Sequence, residues 1–323
     1  MLRKVLVTGA SGFVGSRVVE YLLLDQRFDV QAALRNLQAH VPEGATAVRI
    51  APLEGDHCDM DLQGVDTVVH CAARVHVMNE QSADPLAAFR KVNVEGTLAL
   101  ARQAAADGVR RFIFISSIKV NGEGTDGRQP YSADEAPLPQ DPYGISKLEA
   151  EQALHALAAQ TTMEVVVIRP VLVYGPGVKA NFQSMMKWLH KGVPLPLGGI
   201  RNQRSMVALD NLVDLIRVCI DHPSAAGEVF LASDGEDLST PDLLRRTARA
   251  LQVKARLLPV PASWLTTAAR IIGRPAMAAR LCGSLQVDIG KTRRLLDWTP
   301  PVSVDQALGT TARHYLDLER SNA

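Results

Sequence analysis

Short apolar segments alternate with longer amphipathic segments through the first half of this chain, and no other feature restricts its fold as strongly. The apolar segments are rich in β-branched residues and lie at 5–7, 30–34, 67–70, 112–115 and 165–168. Helical patterns with one apolar side occupy about 13–24, 85–107 and 143–159. This order predicts an α/β fold built on a doubly wound parallel sheet of the Rossmann type.

The sequence changes character after Pro170, where glycine, proline and short helical patterns become frequent. We therefore expect a Rossmann domain over residues 1–172 and a smaller mixed substrate-binding domain over residues 173–323. A helix and a strand within residues 206–232 are expected to return to the first domain. We therefore do not expect a single position in the sequence to separate the two domains.

Two features of the second half predict local structure. Asp210 and Thr240 are expected to cap helices, Thr240 because a proline follows it. The apolar stretch 264–281 is interrupted by Arg270, Arg274 and Pro275. These interruptions favour a core or lid helix over a membrane-spanning one.

Composition argues against several classes of function. The chain has 323 residues, 47% of them hydrophobic, with 35 basic and 34 acidic residues and a net charge of +1. This charge gives no overall attraction to nucleic acid or to an anionic membrane, so any anion site is local. The four cysteines are scattered and there is no HExxH motif, so neither a disulfide framework nor a metal site is indicated. The N-terminal apolar run is too short for a signal peptide, and we expect a cytoplasmic protein without a membrane span.

A glycine-rich loop joins the first predicted strand to the first predicted helix. It reads TGASGFVG from Thr8 to Gly15, with GxxGxxG rather than GxGxxG spacing. Glycines here allow a tight turn and let backbone N–H groups approach a pyrophosphate at the helix N-terminus. The loop predicts a dinucleotide site formed by Gly9, Ser11, Gly12, Phe13, Val14 and Gly15.

The end of the second predicted strand bears on the choice of cofactor. An acidic residue is expected about twenty residues past the loop to hold an adenosine ribose hydroxyl. Residues 33–36 instead read Ala-Leu-Arg-Asn, and Arg35 supplies a cation suited to a 2′-phosphate. We therefore expect NADP(H) to be favoured over NAD(H), unless Arg35 is only a solvated strand end.

Tyr143 and Lys147 lie four residues apart at the start of a predicted helix, so their side chains share one helix face. A lysine charge beside a phenol favours the phenolate, which lets a tyrosine act as an acid or base nearer neutral pH. This spacing is common in surface helices, so the pair alone is weak evidence of catalysis.

Taken together, these features resemble the extended short-chain dehydrogenase/reductase family, in its nucleotide-sugar (UDP-hexose) 4-epimerase and 4-ketoreductase branch. The resemblance covers essentially the whole chain and rests on the order and spacing of several motifs. They are the loop glycines, HCAA at 70–73, NVEGT at 93–97, SS at 116–117, Tyr143 with Lys147, and RPVLVYGP at 169–176.

The resemblance implies a catalytic trio. Ser117 would bind the substrate oxygen, with Ser116 as the alternative hydroxyl. Tyr143 would donate or accept the proton. Lys147 would lower the pKa of Tyr143 and hold the nicotinamide ribose.

The resemblance also implies binding residues and an assembly. For the cofactor they are Ala72, Ala73, Asn93 and Pro170, together with Tyr143 and Lys147. For a sugar-nucleotide diphosphate they are Asn181, Arg204 and Arg280, where a structural role for Arg280 is nearly as well supported. Arginine suits this role because its planar fork bonds two phosphate oxygens. Family members are often homodimers through the helices that correspond to 85–107 and 143–159.

Two departures from the family pattern narrow the chemistry. The dehydratase branch has an Asp-Glu pair just beyond its catalytic hydroxyl, whereas this chain has Ile118 and Lys119, which disfavours a 4,6-dehydratase. The acidic residue that contacts adenine in the family is not evident in residues 50–53.

The sequence leaves more than one reaction open. We expect a 4-ketoreductase of a UDP-4-keto-6-deoxy-N-acetylhexosamine, in surface polysaccharide sugar biosynthesis, because Arg35 suggests an exchanging NADPH. The alternative is a UDP-glucose or UDP-GlcNAc 4-epimerase, which shares the same half-reaction. A non-catalytic NADP-sensing protein is disfavoured because Ser117, Tyr143 and Lys147 are all present.

Overall fold

The computed structural model describes residues 2–55, 57–58, 60–75, 84–273 and 275–321. Its strands are β1 Arg3–Thr8, β2 Phe28–Leu34, β3 Thr46–Arg49, β4 Val65–His70, β5 Arg111–Ile115, β6 Glu164–Pro170, β7 Leu172–Tyr174, β8 Arg204–Ala208, β9 Val229–Ala232 and β10 Asp237–Leu238. Its α-helices are α1 Phe13–Leu23, α2 Pro85–Arg90, α3 Thr97–Ala106, α4 Pro142–Ala158, α5 Ala180–His190, α6 Leu209–Asp221, α7 Thr240–Ala250, α8 Ala262–Ile271, α9 Pro275–Cys282, α10 Gly290–Leu296 and α11 Val304–Ser321. A π-helical turn, Lys91–Gly96, joins α2 to α3, so the predicted helix 85–107 is one helical stretch.

Seven strands form one parallel sheet in the order β3-β2-β1-β4-β5-β6-β9. The predicted doubly wound α/β fold is therefore confirmed. The chain reverses its direction of travel across the sheet between β1 and β4. In open parallel sheets the crevice for a ligand lies at this point, beyond the carboxyl ends of the strands.

Helices cover both faces of the large sheet, which explains why its strands read as continuous apolar runs. On one face, Val18 and Leu22 of α1 and Leu212 and Ile216 of α6 are completely buried. On the other face, α3 and α4 pack on the sheet through side chains such as Leu154. The sheet is thus held rigidly between two apolar layers, and its carboxyl edge is left to carry the site.

The chain returns to this sheet after β8. Strand β9 pairs in parallel with β6, with Val229 opposite Val167. Helix α6 lies against α1, where Arg17 donates to Asp210 at 2.8 Å and the Tyr21 hydroxyl donates to Asp214 at 2.8 Å. The elements within residues 206–232 therefore contact the nucleotide-binding half directly.

A second, three-stranded sheet has the order β10-β8-β7, with β7 and β8 parallel and β8 and β10 antiparallel. It packs with α5, α7 and α11 around a separate apolar core that includes Tyr174 stacked on Phe182 at 5.6 Å. The sequence predicts a smaller mixed domain here but does not locate these short strands.

Both predicted helix caps are displaced. Helix α6 is capped by Ala208, and Asp210 instead lies in the first turn, where it pairs with Arg17. Helix α7 is capped by Ser239, whose hydroxyl accepts from the Asp242 nitrogen at 3.2 Å, so Thr240 is the first helical residue. The Ser-x-x-Asp spacing explains the shift, since serine offers the cap and the acid lies three residues on.

The apolar stretch 264–281 forms α8 and α9, and its core interpretation is wrong. Trp264 is 72% exposed, Ile271 80% and Ile272 64%, so these side chains do not fill a core. In the part of the chain that the structure describes, no helix combines the length and apolar character that crossing a bilayer requires.

Candidate active site

The glycine loop packs its backbone tightly between β1, β4 and α1. Gly9 has a φ of +66°, and a Cβ atom on it would lie 2.8 Å from the Ala72 nitrogen. A Cβ atom on Gly15 would overlap the Gly9 carbonyl oxygen. Glycine is therefore required at both positions, by conformation at Gly9 and by close approach at Gly15.

The N-terminus of α1 is open at this loop. Gly12 is the cap residue, and no side chain caps the helix. Ser11 and Gly12 are exposed, whereas Phe13 and Val14 are half-buried. Backbone N–H groups at a helix N-terminus suit an anion, and the loop lies against the half-buried pair Ala72 and Ala73. This arrangement fits the pyrophosphate of a dinucleotide.

The buried His70 links three elements at the base of the crevice. Its Nδ1 lies 2.7 Å from the Thr8 hydroxyl and its Nε2 lies 3.0 Å from the Thr97 hydroxyl. Burial, and then the nearby charge of Lys147, lower the pKa of His70 to about 3. A neutral imidazole therefore ties together β1, β4 and α3.

Arg35 is exposed directly after β2, at the carboxyl edge of the sheet. The pKa of the nearby Glu54 carboxyl is lowered mainly by Lys91, with smaller contributions from Arg35 and Arg74. Three cations thus surround a single carboxylate where the adenosine end of a dinucleotide is expected. This placement is compatible with the predicted contact to a 2′-phosphate.

Asn93 is fully buried and links the segment after β4 to α4. Its side-chain oxygen accepts from the Arg74 nitrogen at 2.8 Å, and its amide donates to the Arg74 oxygen and the Ser146 hydroxyl, both at 3.0 Å. These bonds use both of its amide protons. The structure gives Asn93 a bracing position beside the crevice, and its predicted cofactor contact stays a prediction.

Ser117 and Tyr143 meet at the carboxyl end of β5. Ser117 caps a short 3₁₀ turn, Ile118–Val120, and its oxygen accepts from the Lys119 nitrogen at 3.3 Å. The Ser117 hydroxyl also lies close enough to the Tyr143 phenol to lower the pKa of that phenol. Residues 26 positions apart in the sequence thus form a single polar pair.

Tyr143 is held protonated by the protein around it. Burial and, to a smaller extent, the charge of Asp141 raise its pKa to about 12, although the nearby Ser117 hydroxyl acts in the opposite direction. The ring of Tyr143 packs edge-on against Phe89, with centroids 5.9 Å apart. The phenol is therefore a fixed proton donor at neutral pH.

Lys147 is buried and points at the backbone of β5. Its Nζ donates to the Ile115 oxygen at 2.7 Å and lies 4.2 Å from the Phe114 ring centroid. Burial lowers its pKa to about 7, although Glu151 opposes this shift. The expectation that Lys147 lowers the pKa of Tyr143 stays a prediction. The ammonium is only partly charged near neutral pH and is committed to a carbonyl.

Ser116 is excluded as the alternative catalytic hydroxyl by its surroundings. It is buried and donates to the Glu151 carboxylate. Glu151 also receives the Arg169 guanidinium, with Nε at 3.0 Å from Oε1. The side chain of Ser116 is therefore part of a buried ionic network and faces away from the Ser117–Tyr143 pair.

The predicted diphosphate residues lie in the smaller domain. Arg204 of β8 is largely buried, and its Nη1 donates to the Gly283 oxygen at 3.0 Å. Burial lowers the pKa of Arg204, the charge of Asp126 raises it, and the charge of Arg280 lowers it by a smaller amount. Arg204 therefore lies near both a carboxylate and a second guanidinium group. Asn181 is exposed in the first turn of α5.

A family model described as "NAD dependent epimerase/dehydratase family" matches residues 5–232, well over half of the chain. The chain belongs to this family. A Vibrio cholerae protein named UDP-glucose 4-epimerase is 46% identical over 318 residues, which covers 98% of this chain and 96% of that protein. An Escherichia coli O157:H7 protein named N-acetyl-alpha-D-glucosaminyl-diphospho-ditrans,octacis-undecaprenol 4-epimerase is 27% identical, covering 96% and 94%.

A solved structure extends this similarity to the fold. The crystal structure of UDP-glucuronic acid 4-epimerase from Bacillus cereus, in complex with NAD, matches with a TM-score of 0.76 at 21% identity. The match covers 98% of this chain and 99% of that one. The family resemblance drawn from the motifs is thereby confirmed, as is the expectation of an NAD(P)-dependent enzyme.

The family motifs do not identify every residue that builds this site. The ion pair of Glu151 and Arg169 supports the strand ends beneath Lys147 and was not predicted. Asp141, directly before α4, is a second such residue. In the structure its carboxylate caps α4 by accepting from the Gly144 nitrogen at 2.6 Å and pairs with Lys119 at 2.6 Å. The Asp-Pro dipeptide that opens α4 is the signal for this cap.

Proposed function

We propose that this protein is a nicotinamide-dependent 4-epimerase of a UDP-hexose. The observation that carries the proposal is the 46% identity, across nearly the full length of both chains, to a protein named UDP-glucose 4-epimerase. The Ser117–Tyr143 pair beside Lys147 supplies the required acid–base group. The reductase reaction expected from the sequence has less support, because it rested on Arg35 alone.

The acid–base step follows from the surroundings of Tyr143. A bound nicotinamide supplies the acceptor and donor of hydride at the sugar C4. Oxidation of the C4 hydroxyl comes first in an epimerase, so Tyr143, which the protein alone keeps neutral, would have to lose its own proton before it accepts the one from the C4 hydroxyl. Tyr143 then returns that proton to the C4 oxygen when the carbonyl is reduced. Ser117 orients the phenol and offers a second hydrogen bond to the same oxygen.

Substrate anchoring is assigned to the smaller domain. Arg204 and Arg280 lie close enough to act on one anion, and a diphosphate relieves their mutual repulsion. Arg204 is held by its bond to the Gly283 carbonyl, so its fork is oriented before substrate binds. Asn181, at the start of α5, is proposed to reach the same diphosphate.

We also propose that the cofactor is NADP(H) in preference to NAD(H). The support is Arg35 at the end of β2 and the lack of an acidic residue at positions 33–36. The similar Bacillus cereus structure contains NAD, so the adenosine end is where the two proteins would differ. An epimerase returns the hydride it removes, so either dinucleotide satisfies the redox balance.

Assembly and domain division also enter as proposals. We propose a homodimer formed through α2–α3 and α4, which pack against each other on one face of the large sheet. The functional division is a nucleotide-binding part over 1–172, with the returning elements of 206–232, and a substrate-binding part in the remainder. Sedimentation equilibrium measures the oligomeric state directly, and a monomer at micromolar concentration would rule out the dimer.

The reaction is tested by supplying both types of substrate to the same preparation. UDP-glucose, UDP-GlcNAc and a UDP-4-keto-6-deoxy sugar are incubated separately, and products and the NADPH absorbance band are followed. We expect interconversion of C4 epimers without net change in absorbance. Stoichiometric loss of NADPH with the ketosugar and no epimer would support the reductase and reject the epimerase.

A second candidate substrate is a hexosamine carried on a polyprenyl diphosphate. Two observations favour it, the name of the Escherichia coli relative and the exposed apolar face of α8 in the same domain as Arg204. Such a substrate keeps the diphosphate that the arginines would hold and replaces the nucleoside with a lipid. Comparing turnover of UDP-GlcNAc with that of GlcNAc-diphospho-polyprenol in detergent distinguishes the two.

A further inference from the structure

Helix α8 turns an apolar stripe away from the protein. Trp264, Ala268 and Ile271 follow the spacing i, i+4, i+7 and are all exposed, with Trp264 72% and Ile271 80% accessible. Ile272, at the helix end, extends the stripe and is 64% exposed. Within α8 the opposite side is anchored by Ala269, which is buried. We call Trp264, Ala268, Ile271 and Ile272 the α8 face.

The α8 face lies in a segment whose charged residues are all basic. Residues 251–287 contain five lysines and arginines and no aspartate or glutamate. The chain has 35 basic and 34 acidic residues, so everything outside this segment has 30 basic and 34 acidic residues. The near-zero net charge of the protein therefore conceals a cationic segment on an otherwise acidic molecule.

The cations in the same segment as the α8 face are available for an external partner. Lys254, Arg256 and Arg270 are exposed, and none of them forms an ion pair with another residue in the described ranges. Arg270 immediately precedes Ile271, so a charge borders the apolar stripe. Exposed apolar side chains rimmed by cations form a surface that suits an apolar layer with an anionic boundary.

We propose that the α8 face docks on the surface of an anionic lipid bilayer. Tryptophan and isoleucine would enter the boundary between head groups and acyl chains, while Arg270 and its basic neighbours contact anionic head groups. Helix α8 has 10 residues and is too short to cross a bilayer. In this proposal it therefore lies in the plane of the interface.

Charge distinguishes the bilayer from a second copy of this chain. A symmetric contact through the α8 face would bring two cationic segments together without a described acidic residue between 251 and 273 to pair with them. An anionic bilayer instead neutralises the same charges. The surface contains none of the residues assigned to catalysis or to cofactor binding, so the proposal does not depend on the proposed function.

Vesicle co-sedimentation of the full-length protein tests the proposal. Phosphatidylcholine vesicles with phosphatidylglycerol are compared with pure phosphatidylcholine vesicles, at about 0.15 M and about 0.5 M salt. We expect binding to the anionic vesicles that weakens at high salt. The double variant W264E/I271E should bind at least about tenfold more weakly, because two apolar side chains that would enter the bilayer are lost and two negative charges are added.

A matched variant controls for charge and folding. L24E/L318E adds the same two negative charges at two exposed leucines outside the α8 face, 78% and 46% accessible, and should bind as the unmodified protein does. Epimerase turnover of UDP-glucose and the thermal midpoint should be unchanged in both variants. Equal binding by W264E/I271E, or equal binding to neutral vesicles, would overturn the proposal. Self-association of the protein that W264E/I271E abolishes would also overturn it, by assigning the face to a second copy.

Discussion

Tyr143 is held protonated by its burial and by the charge of Asp141, and it is directed by the hydroxyl of Ser117. The sequence predicts the pairing of Tyr143 with Lys147 from spacing, and it predicts Ser117 from the family motif. It does not predict the pKa values, because desolvation depends on residues from other elements. Phe89 and Phe114, for example, surround the pair from α2 and β5.

Replacing Tyr143 by phenylalanine removes the hydroxyl group whose proton the mechanism moves and keeps the ring. We expect kcat for UDP-glucose epimerisation to fall about 10²- to 10⁴-fold, with a small change in KM, since general acid–base catalysis contributes this much. Tyr21→Phe serves as the control. It removes the hydrogen bond from Tyr21 of α1 to Asp214 of α6, and it should keep kcat near normal. Normal turnover in Tyr143→Phe would contradict the assignment.

Arg35 is proposed to select the dinucleotide through its adenosine end. Arg35→Asp exchanges a cation for the acid that prefers a ribose hydroxyl, so the ratio of NADP to NAD affinity should fall by at least about tenfold. Arg102→Asp, on the exposed side of α3, serves as the charge control. Dissociation constants from fluorescence titration measure the ratio, and an unchanged ratio in Arg35→Asp shows that the residue is only a solvated strand end.

At the scale of elements, periodic segments are predictable and short irregular ones are not. The central strands of the large sheet are apolar on both faces and follow from the sequence, as do α1, the helical stretch from α2 to α3, and α4. The largely exposed edge strand β3 and the long helix α11 are not predicted. Strands β7, β8 and β10 contain few residues and depend on pairing with each other, so no local pattern identifies them. The cap of α7 is displaced because Ser239 and Thr240 compete at its start, whereas α6 begins at an alanine and has no side-chain cap.

The ion pair between α4 and β6 gives a test at this scale. Arg169 and Glu151 are 5% and 3% exposed, so Glu151→Gln leaves a buried guanidinium without a carboxylate and should destabilise the protein by about 3–5 kcal/mol. Glu149 lies on the same helix and pairs with Arg90, with exposures of 30% and 47%. Glu149→Gln should therefore cost less than about 1 kcal/mol.

Urea unfolding measures both free energies, and the comparison cancels effects of composition and of the helix itself. Equal losses in Glu151→Gln and Glu149→Gln would mean that burial does not determine the contribution of these pairs. If Glu151→Gln instead abolished activity without lowering the free energy of unfolding, Glu151 would have a direct part in the reaction.

At the scale of the whole molecule, pH dependence of stability reports on His70. Its folded pKa of about 3 lies below its ordinary value of 6.5, so between these values the unfolded chain binds a proton that the folded chain does not. Stability should therefore fall as pH decreases through this window, with a slope of up to about 1.4 kcal/mol per pH unit from this group.

His70→Gln should make that slope shallower, while His40→Gln, at an exposed position, should leave it unchanged. Both slopes come from urea unfolding at several pH values. The interpretation of His70 as a neutral link between β1, β4 and α3 would be wrong if the two variants gave the same slope.

The whole chain also shows where sequence reasoning stops. Epimerase and ketoreductase share one half-reaction at the sugar C4, so Ser117, Tyr143 and Lys147 are compatible with both. The preference for a reductase rested on Arg35, which informs the cofactor and not the direction of hydride transfer. The full-length similarity to a protein named UDP-glucose 4-epimerase shifts the proposal to the epimerase.

The most direct test follows the hydrogen at C4 through the reaction. UDP-glucose with deuterium at C4 is incubated with the protein, and UDP-galactose is examined by mass spectrometry and NMR. The account predicts UDP-galactose that retains deuterium at C4, with no net change in the reduced cofactor, because the same enzyme removes and returns the hydride. Failure to form UDP-galactose, together with reduction of a 4-keto sugar nucleotide at the expense of NADPH, would contradict it.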